Sequence, residues 1–380
     1  MTSICPYFDQ GQCRSCTWIE RDLSVQLKAK EDRVRETLAL PPGVTLLNSV
    51  RSPILGFRNR AKMSVTGTVE DSIIGIVGES VIDEGQDLSS CPIHHPKLNE
   101  LIQSLPAAIR TYRLMPYNIA QRRGELKGII AFYSPGSGQM YLRFVLRSKE
   151  AVSRIRKLVP ELQSSFPSLV CISANIQPVP HAILEGPEEI ILTERSTIDH
   201  PLGAFRLKLA PQAFVQTNVF VATQLYQTAA EWISLARPEK MLELYCGQGA
   251  FSFFAAGNAG RILGIEINPE AVKTANATAQ ELGYPHVSFK QADATQVDSE
   301  IRDFHPDLIL VNPPRRGLAQ GIELIRRHQP SHVIYSSCWI ESLSQDVRAL
   351  AQHYRIDRIQ LFDLFPHTEH FETLVWLKLI

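Results

Sequence analysis

No apolar run in this 380-residue chain is long enough to cross a bilayer as a helix, so an integral membrane protein is set aside. The opening Met1-Thr-Ser-Ile-Cys-Pro lacks the basic-then-apolar pattern of a signal peptide, and a cytoplasmic address is expected. Net charge is missing too: 39 Lys+Arg offset 39 Asp+Glu, which at first argues against a polyanionic partner. Internal repeats and low-complexity tracts are absent, excluding solenoids and tail-like segments. What remains is an ordinary globular composition of a length that fits two or three domains.

The charge is unevenly spread. Residues 1–160 hold 22 Lys+Arg against 15 Asp+Glu, and residues 161–380 hold 17 against 24. The basic half is a modest pointer to a polyanion, although a solvated surface explains it equally well. Seven cysteines in a reducing compartment point to metal binding or catalysis rather than disulfides. Cys5-x7-Cys13-x2-Cys16, with Cys91-Pro92 much later, offers four thiols to zinc or to an iron–sulfur cluster. Only one short pair is present and Cys-Pro is a ferredoxin-like step, so the spacing tilts toward a cluster while leaving both open.

Asp22 to Leu40 carries apolar residues at helical spacing, and Pro41-Pro42-Gly43 is its expected stop. From Val50 to about Ile82 the pattern turns to strands, at Phe57–Val65 and Ile73–Val77. Further strands are expected at Gly128–Tyr133, Met140–Leu146, Leu169–Gln177 and Glu189–Leu192, with a helix at Glu150–Leu158. This reads as an antiparallel or mixed β domain. Its basic residues come in bunches (Arg58, Arg60 and Lys62; Arg113, Arg122, Arg123 and Lys127; Arg143, Arg147 and Lys149). On paired strands such bunches form a phosphate-facing surface. No aromatic pattern of a common RNA module accompanies them. A domain boundary is placed between residues 205 and 206.

Beyond it, strands near 241–245, 261–267, 287–290, 307–311, 332–336, 355–362 and 372–379 alternate with helices. A short loop, not a helix, joins the last two. The expected fold class is therefore α/β, a doubly wound sheet with an antiparallel final strand. Its first turn is Met241-Leu-Glu-Leu-Tyr-Cys-Gly-Gln-Gly-Ala-Phe-Ser252. Gly247 and Gly249 let the backbone swing close to a ligand, and the helix from Ala250 points free N–H groups at it. Glu266 ends the next strand about twenty residues on, where such sheets place a carboxylate for ribose hydroxyls.

Polar residues collect at the other strand ends as well: Asp293, Asn312-Pro313-Pro314-Arg315, Ser336-Ser337-Cys338 and Phe365-Pro366-His367-Thr368. An Asn-Pro-Pro turn is what amino-group methyltransferases use to grip an amine. Here Arg315 stands in the aromatic position, and methylating an amine requires no cysteine. Methylation at carbon 5 of a pyrimidine does require one. A thiolate adds to C6, C5 becomes nucleophilic, and a base then removes the C5 proton so the sulfur leaves. Cys338 and Glu372 suit those two roles.

At this point the residues match a family. The chain resembles the bacterial RNA uracil-C5 methyltransferases over essentially its whole length. The match rests on Phe214-x-Gln216-x-Asn218, Glu243-Leu-Tyr-Cys-Gly-x-Gly249, Gly264-Ile-Glu266, Asn312-Pro-Pro-Arg315, Ser337-Cys338 and Phe365-Pro-His-Thr-x-His-x-Glu372. The cysteine start is similar to that of the iron–sulfur members acting on 23S ribosomal RNA, and the small RNA-binding β-barrel of one such member is missing.

The resemblance implies a class I, Rossmann-like, seven-stranded methyltransferase domain (206–380). Residues 1–205 would form a smaller β-rich domain bearing the cluster, with helix 22–40 expected to pack on the methyltransferase domain. It implies Cys338 as nucleophile and Glu372 as base. Gln216, Tyr245, Gly247, Gly249, Glu266 and Asn312 would surround S-adenosylmethionine and the target base. Cys5, Cys13, Cys16 and Cys91 would hold a [4Fe-4S] cluster, and 23S ribosomal RNA would be the partner, with no protein partner implied. Two departures stand out: Trp339 where most members have Asn, and Asn312 where many have Asp. His367 and His370 are read as structural, and Cys171 and Cys246 as packed thiols. The rival readings are a tRNA uridine target and a catalytically impaired RNA-binding homologue.

Overall fold

A computed structural model of the chain describes residues 3–40, 44, 46–77, 85–179 and 185–380. Two compact units are distinguished. One comprises Met1–Cys16, Pro53–Pro201 and Lys208–Gln212, and the other Thr17–Ser52, Leu202–Leu207 and Ala213–Ile380. The sequence boundary at 205/206 had grouped residues 17–52 with the first domain; the structure assigns them to the second unit. Among the described residues, no helix is long and apolar enough to cross a membrane.

The first unit is a seven-stranded sheet of β1 (Arg60–Gly67), β2 (Ser72–Val77), β3 (Gly85–Asp87), β4 (Leu126–Tyr133), β5 (Met140–Leu146), β6 (Leu169–Ile176) and β7 (Glu188–Ile191). Their order is β3-β2-β1-β4-β5-β6-β7. Only β5 and β6 run parallel, and the helix Val152–Ser165 supplies the crossover that a parallel pair needs. Alternate residues Met63 and Val65, Leu142 and Phe144, Ile172 and Ala174 face one core with Leu98, Leu101 and Leu105 of the helix Pro96–Thr111. That helix was not expected from the sequence. Pro106 interrupts its pattern, and Pro160 likewise hid the second half of Val152–Ser165.

The expected phosphate-facing surface is corrected in part, because several of its cations are already neutralised within the unit. Buried Arg143 pairs with Glu189 at 2.6 Å and Glu185 at 3.1 Å, and Lys62 reaches Glu185 at 3.0 Å. Arg147 pairs with Glu125 and Lys149 with Glu188, both at 2.6 Å. The Lys127 ammonium donates to the carbonyls of Gln177 and Val179. Arg113, Arg122 and Arg123 take part in no ion pair among the described residues.

β8 (Ile198–Leu202) and β9 (Phe205–Leu209) form a two-stranded sheet around Gly203, whose φ is 58°. The second unit is built on β10 (Lys240–Leu244), β11 (Arg261–Glu266), β12 (Val287–Gln291), β13 (Leu308–Val311), β14 (His332–Ser337), β15 (Tyr354–Phe362) and β16 (Glu372–Leu379). The order is β12-β11-β10-β13-β14-β16-β15. Five strands are parallel, and β16 runs antiparallel to both neighbours, as the short final loop required. Between β10 and β13 the strand order reverses, so the ligand crevice belongs at the carboxyl ends there. Helix Leu23–Thr37 contributes Leu27 and Val34 to the same core as Leu242, Ile309 and Tyr335. It is shorter than the expected 22–40, with Ala39 already at φ 46°; its expected stop, Pro41-Pro42-Gly43, lies outside the described residues.

Candidate active site

The turn after β10 is wound through left-handed backbone: Tyr245 has φ 61°, Gly247 53° and Gly249 81°. Such a conformation is costly for a tyrosine and is typical of ligand turns. The two glycines serve different ends. A Cβ on Gly249 would lie 2.4 Å from the Phe289 ring, so that position is fixed by packing. A Cβ on Gly247 would meet nothing within 4 Å, so its freedom serves the turn and its outer side stays open. The Gly247 N–H donates to Glu266 Oε2 at 3.0 Å, and the Asn268 N–H to Glu266 Oε1 at 2.9 Å. Each carboxylate oxygen keeps a lone pair for a ligand hydroxyl.

Beneath this turn lies Glu243, for which the sequence motif alone indicates no role. It is buried, and burial pushes its carboxyl up to about 8. Glu243 Oε2 accepts from the Ser252 N–H at 2.9 Å and from the Ser252 hydroxyl, clamping helix Ala250–Ala255 onto β10. Above it, burial and then Asp293 raise the Tyr245 phenol while Arg316 opposes them, so these three groups converge on one place.

A second group forms where β14 ends and β16 begins. The register pairs Ser337 with Thr373 and Ser336 with Leu374. The residue after Ser337 and the residue before Thr373 are therefore brought side by side; they are Cys338 and Glu372. Glu372 is buried, and its Oε1 accepts from the Ser336 hydroxyl at 2.5 Å. Burial pushes its carboxyl up to about 7 against that hydrogen bond. Burial, then the Glu372 carboxylate, raise the half-buried Cys338 thiol, and the nearby Arg315 guanidinium pulls the other way. The glycine-turn group and the thiol–carboxyl group thus share the carboxyl rim of one sheet, as the sequence led one to expect. Gln216 is buried in the segment leading to helix Val219–Ala236, and Asn312 follows β13, with its N–H on the Leu244 carbonyl. Asn218 caps that helix through the Val221 N–H, and its amide also donates to Ser52 Oγ and the Leu364 carbonyl.

Single-sequence reasoning missed the supports of this rim. Buried Lys30 donates to Asp363 at 2.7 Å and to the Phe365 carbonyl at 3.1 Å. Gln26 accepts from the His367 N–H at 2.8 Å, and the His367 carbonyl accepts from the Trp18 N–H at 2.9 Å, which fixes His367 at φ 65°. Arg33 pairs with Glu341 at 2.5 Å and Glu369 at 3.2 Å. Helix Leu23–Thr37 and its flank therefore hold the loop that delivers Glu372. On the other side, Asp346 accepts from the Tyr335 hydroxyl at 2.6 Å and the Leu318 N–H at 2.8 Å, tying down the loop that carries Asn312 and Arg315. The contacts of Gln26, Lys30 and Arg33 join residues more than 300 positions apart, and no local pattern announces them.

A family model described as tRNA (Uracil-5-)-methyltransferase matches residues 192–380. A 23S rRNA (uracil(747)-C(5))-methyltransferase RlmC of Proteus mirabilis is 40% identical over 376 residues, covering 99% of this chain and 99% of that protein. The chain belongs to the RNA uracil-C5 methyltransferase family. The RlmC of Escherichia fergusonii is 41% identical over 374 residues, 98% of this chain and 99% of that one. Among solved structures, the Pyrococcus abyssi tRNA (uracil-54, C5)-methyltransferase in complex with S-adenosyl-L-homocysteine superposes with a TM-score of 0.80. It is 24% identical and the match covers 95% of this chain and 85% of that one, a likeness of fold.

The four cysteines outside the rim that were expected to act together lie in the first unit. Cys5, Cys13, Cys16 and Cys91 line one cavity of about 190 Å³ together with Tyr7, Arg58 and His94. Burial and then the charges of Cys91, Cys13 and Cys5 push the Cys16 thiol up to about 12. Among the described residues no group of three or more His, Cys, Asp or Glu side chains is set to hold a metal ion, so the four cysteines expected to bind a cluster line a shared space without forming an assembled metal site. Cys171 and Cys246 are buried, and burial raises both thiols, Cys171 to about 12.

Proposed function

We propose that this protein transfers a methyl group from S-adenosylmethionine to C5 of a uridine in 23S ribosomal RNA, at the position its relatives' names give as 747. The observation that carries the reading is one thiol and one raised carboxyl, Cys338 and Glu372, juxtaposed by the β14–β16 register. The target uridine is turned out of its RNA stack into the crevice. The Cys338 sulfur adds to C6, a carbon–sulfur bond forms, and the ring electrons shift toward C5 and O4. S-adenosylmethionine, when bound, supplies an electrophilic methyl carbon to that activated C5. The Glu372 carboxylate then takes the C5 proton, the C5–C6 double bond re-forms, and Cys338 departs with its electron pair. A carboxyl held at about 7 suits a group that accepts and releases a proton each cycle near neutral pH.

For the cofactor, the open side of Gly247 and the free lone pairs of Glu266 fit an aminoacyl nucleoside, with Tyr245, Gly249, Gln216 and Asn312 as the remaining contacts. Cys5, Cys13, Cys16 and Cys91 would hold a [4Fe-4S] cluster. Four cysteines lining one cavity, with the Cys16 thiol pushed up by burial and by its neighbours, support a cationic inorganic core there, and its chemistry would be structural, cross-linking residues 5–16 to Cys91. Mapping 5-methyluridine in 23S rRNA from cells with and without the gene tests the proposal. One modified site should disappear with the gene; an unchanged map overturns the substrate assignment.

A further inference from the structure

We infer that Trp339 is a positioning residue for the reaction, its indole holding the Arg315 guanidinium against the Cys338 thiol. The Arg315 Cζ lies 5.1 Å from the centroid of the Trp339 ring, within cation–π range. Arg315 is exposed and takes part in no ion pair among the described residues, yet it lies close enough to Cys338 for its charge to favour the thiolate. A free arginine side chain loses much rotamer freedom when fixed at one point, so it needs a platform to stay there. Trp339 is such a platform because its own backbone is pinned. Its N–H donates to Ser337 Oγ at 3.1 Å, and its carbonyl accepts from Ser337 Oγ at 3.1 Å and Ser342 Oγ at 3.0 Å. On the loop before β16, the His370 ring lies 6.1 Å from the indole. Burial first, then Arg315, hold His370 toward its neutral form, which leaves Arg315 as the cation at the thiol.

The groups facing Cys338 are therefore Arg315 from the loop after β13, Glu372 on β16 and Tyr335 on β14. Glu372 disfavours the thiolate that must add to C6, and Arg315 favours it. Removing the platform leaves Glu372 less opposed. The role assigned to Trp339 rests on Cys338 as nucleophile.

The test needs neither RNA nor turnover. Full-length protein is treated with iodoacetamide between about pH 6 and about pH 10, and carbamidomethylation of the Cys338 peptide is followed by mass spectrometry, which separates it from the other cysteines. Trp339→Leu should raise the apparent pKa of Cys338 by roughly half a unit, the scale of an exposed cation–π contact. Arg315→Gln should raise it at least as far, the double variant no further, and Trp339→Phe should restore most of the wild-type profile. The inference is overturned if Trp339→Leu titrates as wild type while Arg315→Gln shifts, or if the two shifts add in full. If Trp339→Leu loses its thermal transition, Trp339→Asn carries the same expectation. An indole serving only as a stacking surface for the base would leave every RNA-free profile unmoved. Cys338→Ala that retained turnover would sink the nucleophile reading itself, independently of these titrations.

Discussion

Cysteine is put to opposite uses in the two units. In the first, four cysteines line one cavity, and burial, then the charges of Cys91, Cys13 and Cys5, push the Cys16 thiol up to about 12. In the second, Cys338 stands alone at a strand end, with one guanidinium favouring the thiolate and one carboxyl disfavouring it. On the proposed function, a lone half-buried thiol beside a cation serves as a nucleophile released each cycle, and four cysteines around one space would share one cationic group. Cys171, with Glu189 and Arg195 near it, and Cys246, with Glu243 and Glu266, are buried and serve packing. Exposure and neighbours together decide what a cysteine does.

The sharpest way to break this contrast is to remove one member of each set. Cys338→Ala should lower methylation by at least about 10³-fold while leaving S-adenosylmethionine binding within a few-fold of wild type, read by calorimetry. Cys91→Ser should do the converse, abolishing iron and acid-labile sulfide in anaerobically purified protein, which should otherwise be brown with about four irons. Colourless wild-type protein with one zinc would end the cluster proposal. Glu372→Gln comes next, with turnover down by roughly 10²–10⁴-fold. Because elimination stalls after methyl transfer, a protein–RNA adduct should persist on denaturing gels, and the lack of a slow band would remove Glu372 as the base. In the wild type, kcat should rise as pH climbs through about 7, since the carboxylate is the active form.

The seven strands of the second unit were legible almost to the residue, because parallel strands covered on both faces read as short apolar runs between helical patterns. The thiol and the carboxyl were also found at one rim, because each sits at a strand terminus whose sheet position follows from the strand order. What stayed hidden was whatever depends on distant pairing. Gln26, Lys30 and Arg33 lie in a helix whose sequence shows only apolar residues at helical spacing, yet they hold the loop preceding Glu372. The basic bunches of β1 and β5 misled for the same reason, since Glu185 and Glu189, which neutralise them, come more than forty residues later than Arg143. Pro106 and Pro160, tolerated inside helices, concealed the layer that covers the first sheet.

Lys30 gives a middle-sized effect. Its ammonium is buried against Asp363, so Lys30→Met leaves a carboxylate with little exposure and no partner. Such a loss costs about 3–5 kcal/mol. Urea unfolding should show that drop, and methylation should fall further than the loss of folded protein explains, because the loop to Glu372 loosens. Unchanged activity per folded molecule would detach the helix from the site.

The smallest effect concerns Glu372 as a structural burden. Its carboxyl titrates at about 7 in the folded chain against 4.5 as the ordinary value, so the native state binds the extra proton between those values. Stability is then full below about pH 4.5, falls as pH rises toward 7, and levels off beyond it, a loss of roughly 3 kcal/mol from this group. Glu372→Gln keeps an acceptor for the Ser336 hydroxyl without the charge. Measured by urea unfolding, this variant should match the wild type near pH 4.5 and exceed it by about 2–3 kcal/mol at pH 8. Equal stability at pH 8 would mean the carboxylate is solvated after all, and the reason for its use as a near-neutral base would go with it.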